Sequence, residues 1–131
     1  MKYVLITAAR NEEEFIGKTL ESVVAQTHLP EHWVIVDDGS TDTTPAIIEN
    51  YTAKFPWITL VQRPKRKERH FAGKANAVNQ ALKQLELLPF DVVGNLDADG
   101  AFEPDFMEFL MEQFDDDPKL GVAGTAYLER D

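Results

Sequence analysis

The sequence predicts an α/β domain with a mostly parallel sheet and helices on both faces. Short apolar runs rich in β-branched residues alternate along the chain with amphipathic segments of helical spacing. The chain has 131 residues, 44% hydrophobic and 27% charged, which suits one globular domain rather than a disordered or fibrous chain. The absence of cysteine excludes disulfides, thiol catalysis and thiolate metal sites.

Five apolar runs have the length and composition of buried strands. They are Tyr3–Ala8, Trp33–Val36, Ile58–Val61, Phe90–Leu96 and Leu120–Tyr127. A helical pattern separates each run from the next, and strands joined by helical crossovers pair in parallel. The predicted sheet is therefore parallel, with its strands running in the same direction.

Four helices are predicted between these strands. Asn11 is expected to cap the first helix, whose opening Glu12–Glu14 turn suits the positive end of a helix dipole. The second begins near Asp42, the third spans about 73–86 and the fourth begins at Pro104. The side chains expected to face inward are Ile16, Leu20, Val23 and Val24; Ile47, Ile48 and Tyr51; Ala77, Val78, Ala81, Leu82 and Leu85; and Phe106, Phe109, Leu110 and Phe114.

Four polar clusters fall where a predicted strand gives way to a helix. They are Arg10–Glu12, Asp37–Asp38, the basic segment 63–74 and Asp97–Asp99. Right-handed crossovers bring all such loops to the carboxyl edge of a parallel sheet. Because open α/β sheets bind ligands at that edge, we expect these clusters to line one binding site.

Asp97 and Asp99 are the candidate metal ligands. If the segment is extended, residues two apart point the same way, so both carboxylates can face one cation. Oxygen ligands without His or Cys suit Mg²⁺ or Mn²⁺, completed by phosphates and water. A second Asp-x-Asp, Asp115 to Asp117, precedes Pro118 and is interpreted as a solvated helix end.

Asp38 has two interpretations at this stage. The run Asp37–Ser40 is a turn signal, and Ser40 or Asp42 could cap the next helix. Alternatively, the Asp38 carboxylate accepts hydrogen bonds from a ligand N–H or hydroxyl. Adjacent carboxylates repel each other unless donors or a ligand satisfy them.

The segment 63–74 concentrates positive charge in an acidic protein. It holds six basic residues and one acid, a local charge of +5 in a chain of net charge −10. The negative charge elsewhere argues against nucleic-acid binding, while a solvated surface run stays open as the plain interpretation. At the predicted edge these cations would suit a diphosphate, and Lys74 at a helix start is the best candidate.

Several common signatures are missing from the sequence. It has no Gly-rich dinucleotide fingerprint after the first strand, no P-loop and no hydrolase nucleophile elbow. No apolar run approaches the roughly 18 residues of a membrane span, and the start lacks a signal peptide. These features predict a cytoplasmic chain without a transmembrane segment, with a peripheral place at the inner membrane face left open.

Four motifs in order resemble the N-terminal, nucleotide-binding half of family 2 glycosyltransferases, which have the GT-A fold. They are Ala8–Glu13, Val36–Asp42, Gly73–Asn79 and Leu96–Gly100. The resemblance covers nearly the whole chain. It implies a Rossmann-like GT-A fold, a nucleotide-diphosphate sugar as donor (most often a UDP-sugar), Mg²⁺ or Mn²⁺ on the diphosphate, and inverting transfer to a hydroxyl of a saccharide, lipid carrier or protein.

The resemblance also implies roles for single residues. The matching nucleotide-sugar-binding positions are Ala8, Ala9, Arg10, Glu12, Asp38, Lys74, Asp97 and Asp99. By similarity, the loop that begins at Ala8 borders the base, and Asp38 reads the N–H of the base ring. Lys74 lies near the nucleotide, Asp97 reaches ribose or metal-bound water, and Asp99 is the direct metal ligand.

This sequence departs from the family pattern in three places. Ala8 stands where the family often has Pro, and Arg10 stands where it often has an aromatic residue, although a guanidinium can also stack on a base. Family catalytic domains continue past the equivalent of Asp131 into the segment with the acidic general base. We therefore expect 1–131 to be a single nucleotide-sugar-binding portion, truncated on its C-terminal side, that transfers sugar poorly or not at all.

Two other functions share part of the pattern. A nucleotidyltransferase that makes nucleotide sugars usually has a Gly-rich basic loop after strand one, and Ala8–Asn11 is not such a loop. A phosphoacceptor signalling module has its acidic pair after strand one, whereas Asp37–Asp38 follows strand two.

Overall fold

The computed structural model describes residues 1–63, 79–85, 88–116, 122–123 and 127–130. Its strands form one six-stranded sheet in the order β3-β2-β1-β4-β6-β5. The strands are β1 (Tyr3–Ala9), β2 (His32–Asp37), β3 (Ile58–Gln62), β4 (Val92–Asn95), β5 (Val122–Ala123) and β6 (Tyr127–Arg130). The helices are α1 (Ile16–Val24), α2 (Thr44–Thr52), the described part of α3 (79–85) and α4 (Phe106–Asp116).

The sheet has a parallel centre and an antiparallel margin. β1 pairs in parallel with β2 on one side and with β4 on the other, and β3 extends the parallel set beyond β2. β6 pairs antiparallel with β4, and β5 pairs antiparallel with β6. The central strand β1 is hydrogen-bonded on both edges, so the loops that follow β1, β2 and β4 leave the sheet at neighbouring positions.

Alternate side chains of the central strands pack into two separate cores. On one face, Tyr3, Leu5, Trp33 and Ile35 join the buried side chains of α1, α2 and α4. On the other face, the intervening strand residues pack with Ala81 and Leu85 of α3. A strand directs successive side chains to opposite faces, which explains why these strands are apolar throughout. The predicted helices on both faces are confirmed.

The structure corrects three details of the predicted elements. Asn11 does not cap α1: a turn over Glu12–Phe15 precedes the helix, and no side chain caps its first turn. Leu82 and Phe109 were expected to face inward but are 41% and 56% exposed. The single predicted strand Leu120–Tyr127 is instead two short strands, β5 and β6, because this margin of the sheet is antiparallel. Ala77 and Val78 lie outside the described residues.

One polar contact crosses the larger core. The Trp33 indole N–H donates to the Thr7 hydroxyl at 2.9 Å, and both side chains are fully buried. A buried polar atom without a hydrogen-bond partner lowers the free energy of unfolding, because it has lost its hydrogen bonds to water without replacing them. This bond therefore ties β1 to β2 within a largely apolar layer.

We predict strong coupling between Trp33→Phe and Thr7→Val. Each single substitution leaves one buried polar atom unsatisfied and should lower the free energy of unfolding by about 1–3 kcal/mol. The double variant removes both polar atoms, so it should lose clearly less than the sum of the single losses. Urea unfolding of the four proteins measures this cycle, and simple additivity would contradict the role of the bond.

Candidate active site

The carboxyl ends of the parallel strands lie at one edge of the sheet. In the strand register, Ala9 at the end of β1 is opposite Asp37 at the end of β2, and Asp37 is opposite Gln62 at the end of β3. β4 ends at Asn95, opposite Ile6 of β1. The loops that carry the predicted polar clusters after β1, β2 and β4 therefore begin close together, as the sequence predicted.

The loop after β1 and the loop after β2 are joined by hydrogen bonds. The Asn11 N–H donates to the Ser40 hydroxyl at 2.9 Å, and the Asn11 side-chain oxygen accepts the Thr41 N–H at 2.8 Å. The Glu12 N–H donates to the Thr44 hydroxyl at 2.9 Å. Asn11 has a positive φ of 54°, a conformation that asparagine tolerates better than most residues. The Asn11 side chain thus binds a neighbouring loop rather than the start of its own helix.

Asp37 is a structural carboxyl beneath this pair of loops. Its side chain is 3% exposed and accepts the Ser40 hydroxyl. Burial raises the pKa of Asp37 above its usual value, and the neighbouring Asp42 and Asp38 add to the rise, while hydrogen bonds from Ser40 oppose it. Ser40 therefore connects Asp37 to Asn11 across the two loops.

Asp38 forms an ion pair that the sequence did not predict. Its carboxylate lies 3.2 Å from a terminal guanidinium nitrogen of Arg63, the residue directly after β3. The Asp38 side chain is 9% exposed and the Arg63 side chain 26% exposed. The Arg63 N–H also donates to the Asp37 carbonyl at 2.9 Å. The pair presents a hydrogen-bond acceptor beside a donor at the sheet edge.

Asp97 and Asp99 lie in a turn rather than in an extended segment. β4 ends at Asn95, and the Gly100 N–H donates to the Asp97 carbonyl at 3.3 Å. Both aspartates are exposed, while Ala98 between them is 5% exposed. The expectation that an extended segment would point both carboxylates the same way was therefore wrong. The turn nevertheless buries the middle residue and leaves both acidic residues accessible.

Side chains of α1 hold this turn and the residues after it. The Thr19 hydroxyl lies 2.9 Å from the Ala98 carbonyl oxygen and 2.6 Å from that of Gly100. The Ser22 hydroxyl accepts the Phe102 N–H at 3.1 Å. One helix thus anchors the loop that carries the acidic pair.

Packing also restricts the turn. A Cβ on Gly100 would come within 2.9 Å of the Phe102 ring, so glycine permits the close approach of that ring. Phe102 in turn stacks on Phe106 with ring centroids 5.1 Å apart. The turn therefore rests on a small aromatic layer at the start of α4.

The two carboxylates suit a divalent cation that also binds a ligand. Across the described part of the chain, no group of three or more His, Cys, Asp or Glu side chains could hold a metal ion alone. Mg²⁺ is typically bound by one or two carboxylates and completed by substrate phosphates and water. Asp97 and Asp99 fit that donor set.

The remaining predicted site residues have varied positions. Ala8 and Ala9 are the last residues of β1, Arg10 is half-buried after it, and Glu12 lies at the start of the following turn. Lys74 and the basic segment after Arg63 lie outside the described residues, as does Asp117. Asp115 is exposed in the last turn of α4, as predicted for a solvated helix end.

Known proteins with similar sequences identify the family. The model of glycosyl transferase family 2 matches residues 4–131. The chain belongs to this family. Poly-beta-1,6-N-acetyl-D-glucosamine synthase of Staphylococcus aureus is 35% identical over 117 residues, 89% of this chain and 26% of that protein. Beta-monoglucosyldiacylglycerol synthase of Synechocystis is 34% identical over 84% of this chain and 22% of that protein.

Solved structures confirm the predicted GT-A fold of this family 2 chain. TarS of S. aureus in complex with UDP-GlcNAc matches with a TM-score of 0.70 and 27% identity, over 88% of this chain and 32% of the other. The mannosyltransferase PcManGT of Pyrobaculum calidifontis, in complex with GDP-Man and Mn²⁺, matches with a TM-score of 0.72 and 25% identity, over 92% and 34%. The chain spans about a quarter of the curated relatives above. Within its described residues, no helix is long and apolar enough to span a membrane.

Two site features escaped the sequence reasoning. Arg63 was counted among the cations of a diphosphate loop, but the fold pairs it with Asp38. Thr19 was not singled out from the sequence, although it lies at helical spacing from Ile16 and Val23 on the apolar face of α1, where a buried hydroxyl needs a hydrogen-bond partner. For Arg63, the signal available in the sequence was its position just after a predicted strand, which places it at the edge of the sheet.

The raised pKa of Asp37 leads to a prediction about pH and stability. The folded state favours the protonated carboxyl, so this stabilising contribution is present at acid pH and is lost as pH rises through the raised pKa. In the variant Asp37→Asn, the amide side chain stays neutral and can still accept the Ser40 hydroxyl. The free energy of unfolding of this variant, relative to the unchanged protein, should therefore increase between about pH 4 and pH 7.

Asp42→Asn provides a control of opposite sign. Partial burial raises the pKa of Asp42, but hydrogen bonds from Thr44 and from the Glu13 N–H outweigh that effect and lower it. Its contribution is present at neutral pH and is lost as pH falls below about 4, so the relative stability of Asp42→Asn should decrease as pH rises from about 2.5 to 4.5. Urea unfolding across about pH 2.5 to 7 measures both variants, and trends of the same sign would contradict the assignment.

Proposed function

We propose that this chain binds the nucleotide-diphosphate sugar of a family 2 glycosyltransferase, with a UDP-sugar as its donor. The observation that carries the proposal is that one edge of the sheet holds both a nearly buried carboxylate paired with a half-buried guanidinium and an exposed acidic turn. The first group suits a nucleobase, and the second suits a metal-bound diphosphate. TarS in complex with UDP-GlcNAc and PcManGT in complex with GDP-Man and Mn²⁺ support the assignment.

Asp38 and Arg63 are proposed to read the base. Uracil has a ring N–H donor flanked by two carbonyl acceptors. An Asp38 carboxylate can accept from that N–H while the Arg63 guanidinium donates to an adjacent carbonyl. Guanine also has a ring N–H beside a carbonyl, whereas cytosine and adenine have an acceptor nitrogen at the corresponding position. The pair therefore favours uridine and guanosine nucleotides. Ala8, Ala9, Arg10 and Glu12 are proposed to border the base.

Asp97 and Asp99 are proposed to hold the cation. A bound Mg²⁺ or Mn²⁺ would supply charge neutralisation for the diphosphate leaving group. Asp99 is assigned as the direct ligand, and Asp97 is assigned to ribose or to water on the metal. Lys74 is assigned to the nucleotide from the sequence motif alone. Together these groups stabilise negative charge as it develops on the diphosphate.

The proposed reaction is a single displacement with inversion. An acceptor hydroxyl attacks the anomeric carbon of the sugar, a new C–O bond forms, and the C–O bond to the diphosphate breaks. The hydroxyl proton passes to a general base, which needs to lie within hydrogen-bond reach of the acceptor. No described residue is assigned to that role. The acceptor class is a saccharide, a lipid carrier or a protein.

Calorimetric titration tests the donor site. UDP and GDP should bind more tightly with Mn²⁺ than without it, and Asp99→Asn should abolish the effect of Mn²⁺ because the neutral amide is a poor ligand for a hard cation. Asp115→Asn, on the exposed last turn of α4, is the matched control and should bind like the unchanged protein. Binding of UDP that is independent of both Mn²⁺ and Asp99 would contradict the metal assignment.

Asp38→Asn separates base recognition from diphosphate binding. The substitution removes the charged acceptor, so UDP affinity should fall by about tenfold or more, as expected for a hydrogen bond to a charged group. The preference for UDP over CDP should shrink with it. Mn²⁺-dependent binding of inorganic pyrophosphate, which has no base, should stay unchanged. An unchanged ratio of UDP to CDP affinity would refute the role of Asp38.

A further inference from the structure

We propose that Thr19 is a positioning residue for the acidic turn, holding Asp97 and Asp99 in place for a metal-bound diphosphate. This inference rests on the proposed function for its ligand, and on the observed contacts for its geometry. Thr19 itself is fully buried in α1 and does not reach the proposed ligand. It acts through the backbone of the turn.

The Thr19 hydroxyl contacts the turn at two points. It lies 2.9 Å from the Ala98 carbonyl oxygen and 2.6 Å from the Gly100 carbonyl oxygen, and these residues are 79 and 81 positions away in sequence. A hydroxyl has a single proton to donate, so these two carbonyls share one donor, with the Phe15 carbonyl more distant at 3.5 Å. The peptide unit before Asp99 and the one after Gly100 are thereby drawn toward the same point.

The two contacts restrict the direction of the carboxylates. Because the carbonyls of Ala98 and Gly100 face α1, the backbone between them has little freedom to rotate. Asp97 and Asp99 are both exposed and carry like charges, which favour separation when no cation is present. A turn that is already fixed loses less conformational entropy when it binds a cation, which strengthens binding.

The contacts of the neighbouring α1 side chains distinguish a role in the acidic turn from a general role in stability. Ser22 and Gln26 follow Thr19 at helical spacing, and they hold the segment after the turn. Ser22 accepts the Phe102 N–H, and Gln26 donates to the Glu103 carbonyl at 2.7 Å while accepting the Met107 N–H at 2.9 Å. Of these three side chains, Thr19 is the one that contacts the acidic turn.

Residue type also favours a specific role for the hydroxyl. The neighbouring buried positions of α1 are Ile16, Leu20 and Val23, so the helix buries an apolar face. Valine has nearly the same shape as threonine and would fill the same space in that face. A buried hydroxyl stabilises the protein only through its hydrogen bonds, and the two shortest from Thr19 go to the turn, while the Phe15 carbonyl at the start of α1 is 3.5 Å away.

The test compares Thr19→Val, which keeps the shape and removes the hydroxyl, with Thr19→Ser, which keeps the hydroxyl. Thr27→Val is the matched control, because the Thr27 hydroxyl bonds the exposed Glu108 side chain on α4. Thr19→Ala is measured in parallel in case valine prevents folding. Thermal unfolding establishes that each variant is folded before binding is measured.

The first readout is the gain in UDP affinity that Mn²⁺ produces, measured by calorimetry. In Thr19→Val, the factor by which Mn²⁺ increases UDP affinity should be about tenfold smaller. This is the lower end of the effect of altering groups that support metal ligands. Thr19→Ser and Thr27→Val should retain it, and UDP binding without metal should be equal in all proteins. A full Mn²⁺ effect in Thr19→Val, or an equal loss in Thr19→Ser, would overturn the proposal.

The second readout needs no ligand. Hydrogen exchange at the Gly100 amide, which closes the turn onto the Asp97 carbonyl, should be about fivefold faster in Thr19→Val, the size of one net hydrogen bond. If the unchanged protein shows no Mn²⁺-dependent UDP binding, the proposed function fails and exchange alone decides the positioning role. Equal exchange rates in Thr19→Val and the unchanged protein would overturn that role.

Discussion

Parallel pairing on both edges of β1 is the constraint on which the rest of the structure depends. The strand lies between β2 and β4, and its residues from Tyr3 to Thr7 are buried. Parallel neighbours need helical crossovers, so these strands all run in the same direction and their carboxyl ends lie at the same edge of the sheet. This arrangement brings together polar residues that are distant in sequence, and it gives α1 a position from which it contacts the loop after β4.

The shared edge contains two contrasting electrostatic environments. Asp38 is nearly buried and lies beside the Arg63 guanidinium, which compensates its charge and limits its directions of hydrogen bonding. Asp97 and Asp99 are exposed to solvent on a turn held from below by uncharged groups. A charge pair largely shielded from solvent gives directional recognition, whereas exposed carboxylates retain the capacity to bind a cation. The two halves of a nucleotide diphosphate call for these same two properties.

The sequence predicted the order and type of most elements, because apolar periodicity is local and strong in this chain. It erred where a neighbour decides the outcome. Helical spacing identified an apolar face on α3 and α4 but not its width, so Leu82 and Phe109 were wrongly assigned to the core. Asn11 has the composition of a helix cap, yet its side chain binds Thr41 of the next loop. The apolar run over 120–127 carried no information about strand direction, and the margin of the sheet is antiparallel.

The sequence by itself determined the α/β class, the clusters at the strand ends and, through four motifs in order, membership of family 2. Those features depend on residues close together along the chain. Only the tertiary structure decided that Arg63 pairs with Asp38, that the acidic pair lies in a turn, and that Thr19 holds that turn from 79 residues away. Each of these depends on contacts between residues that are far apart in the sequence, and the local periodicity of apolar residues does not determine such contacts.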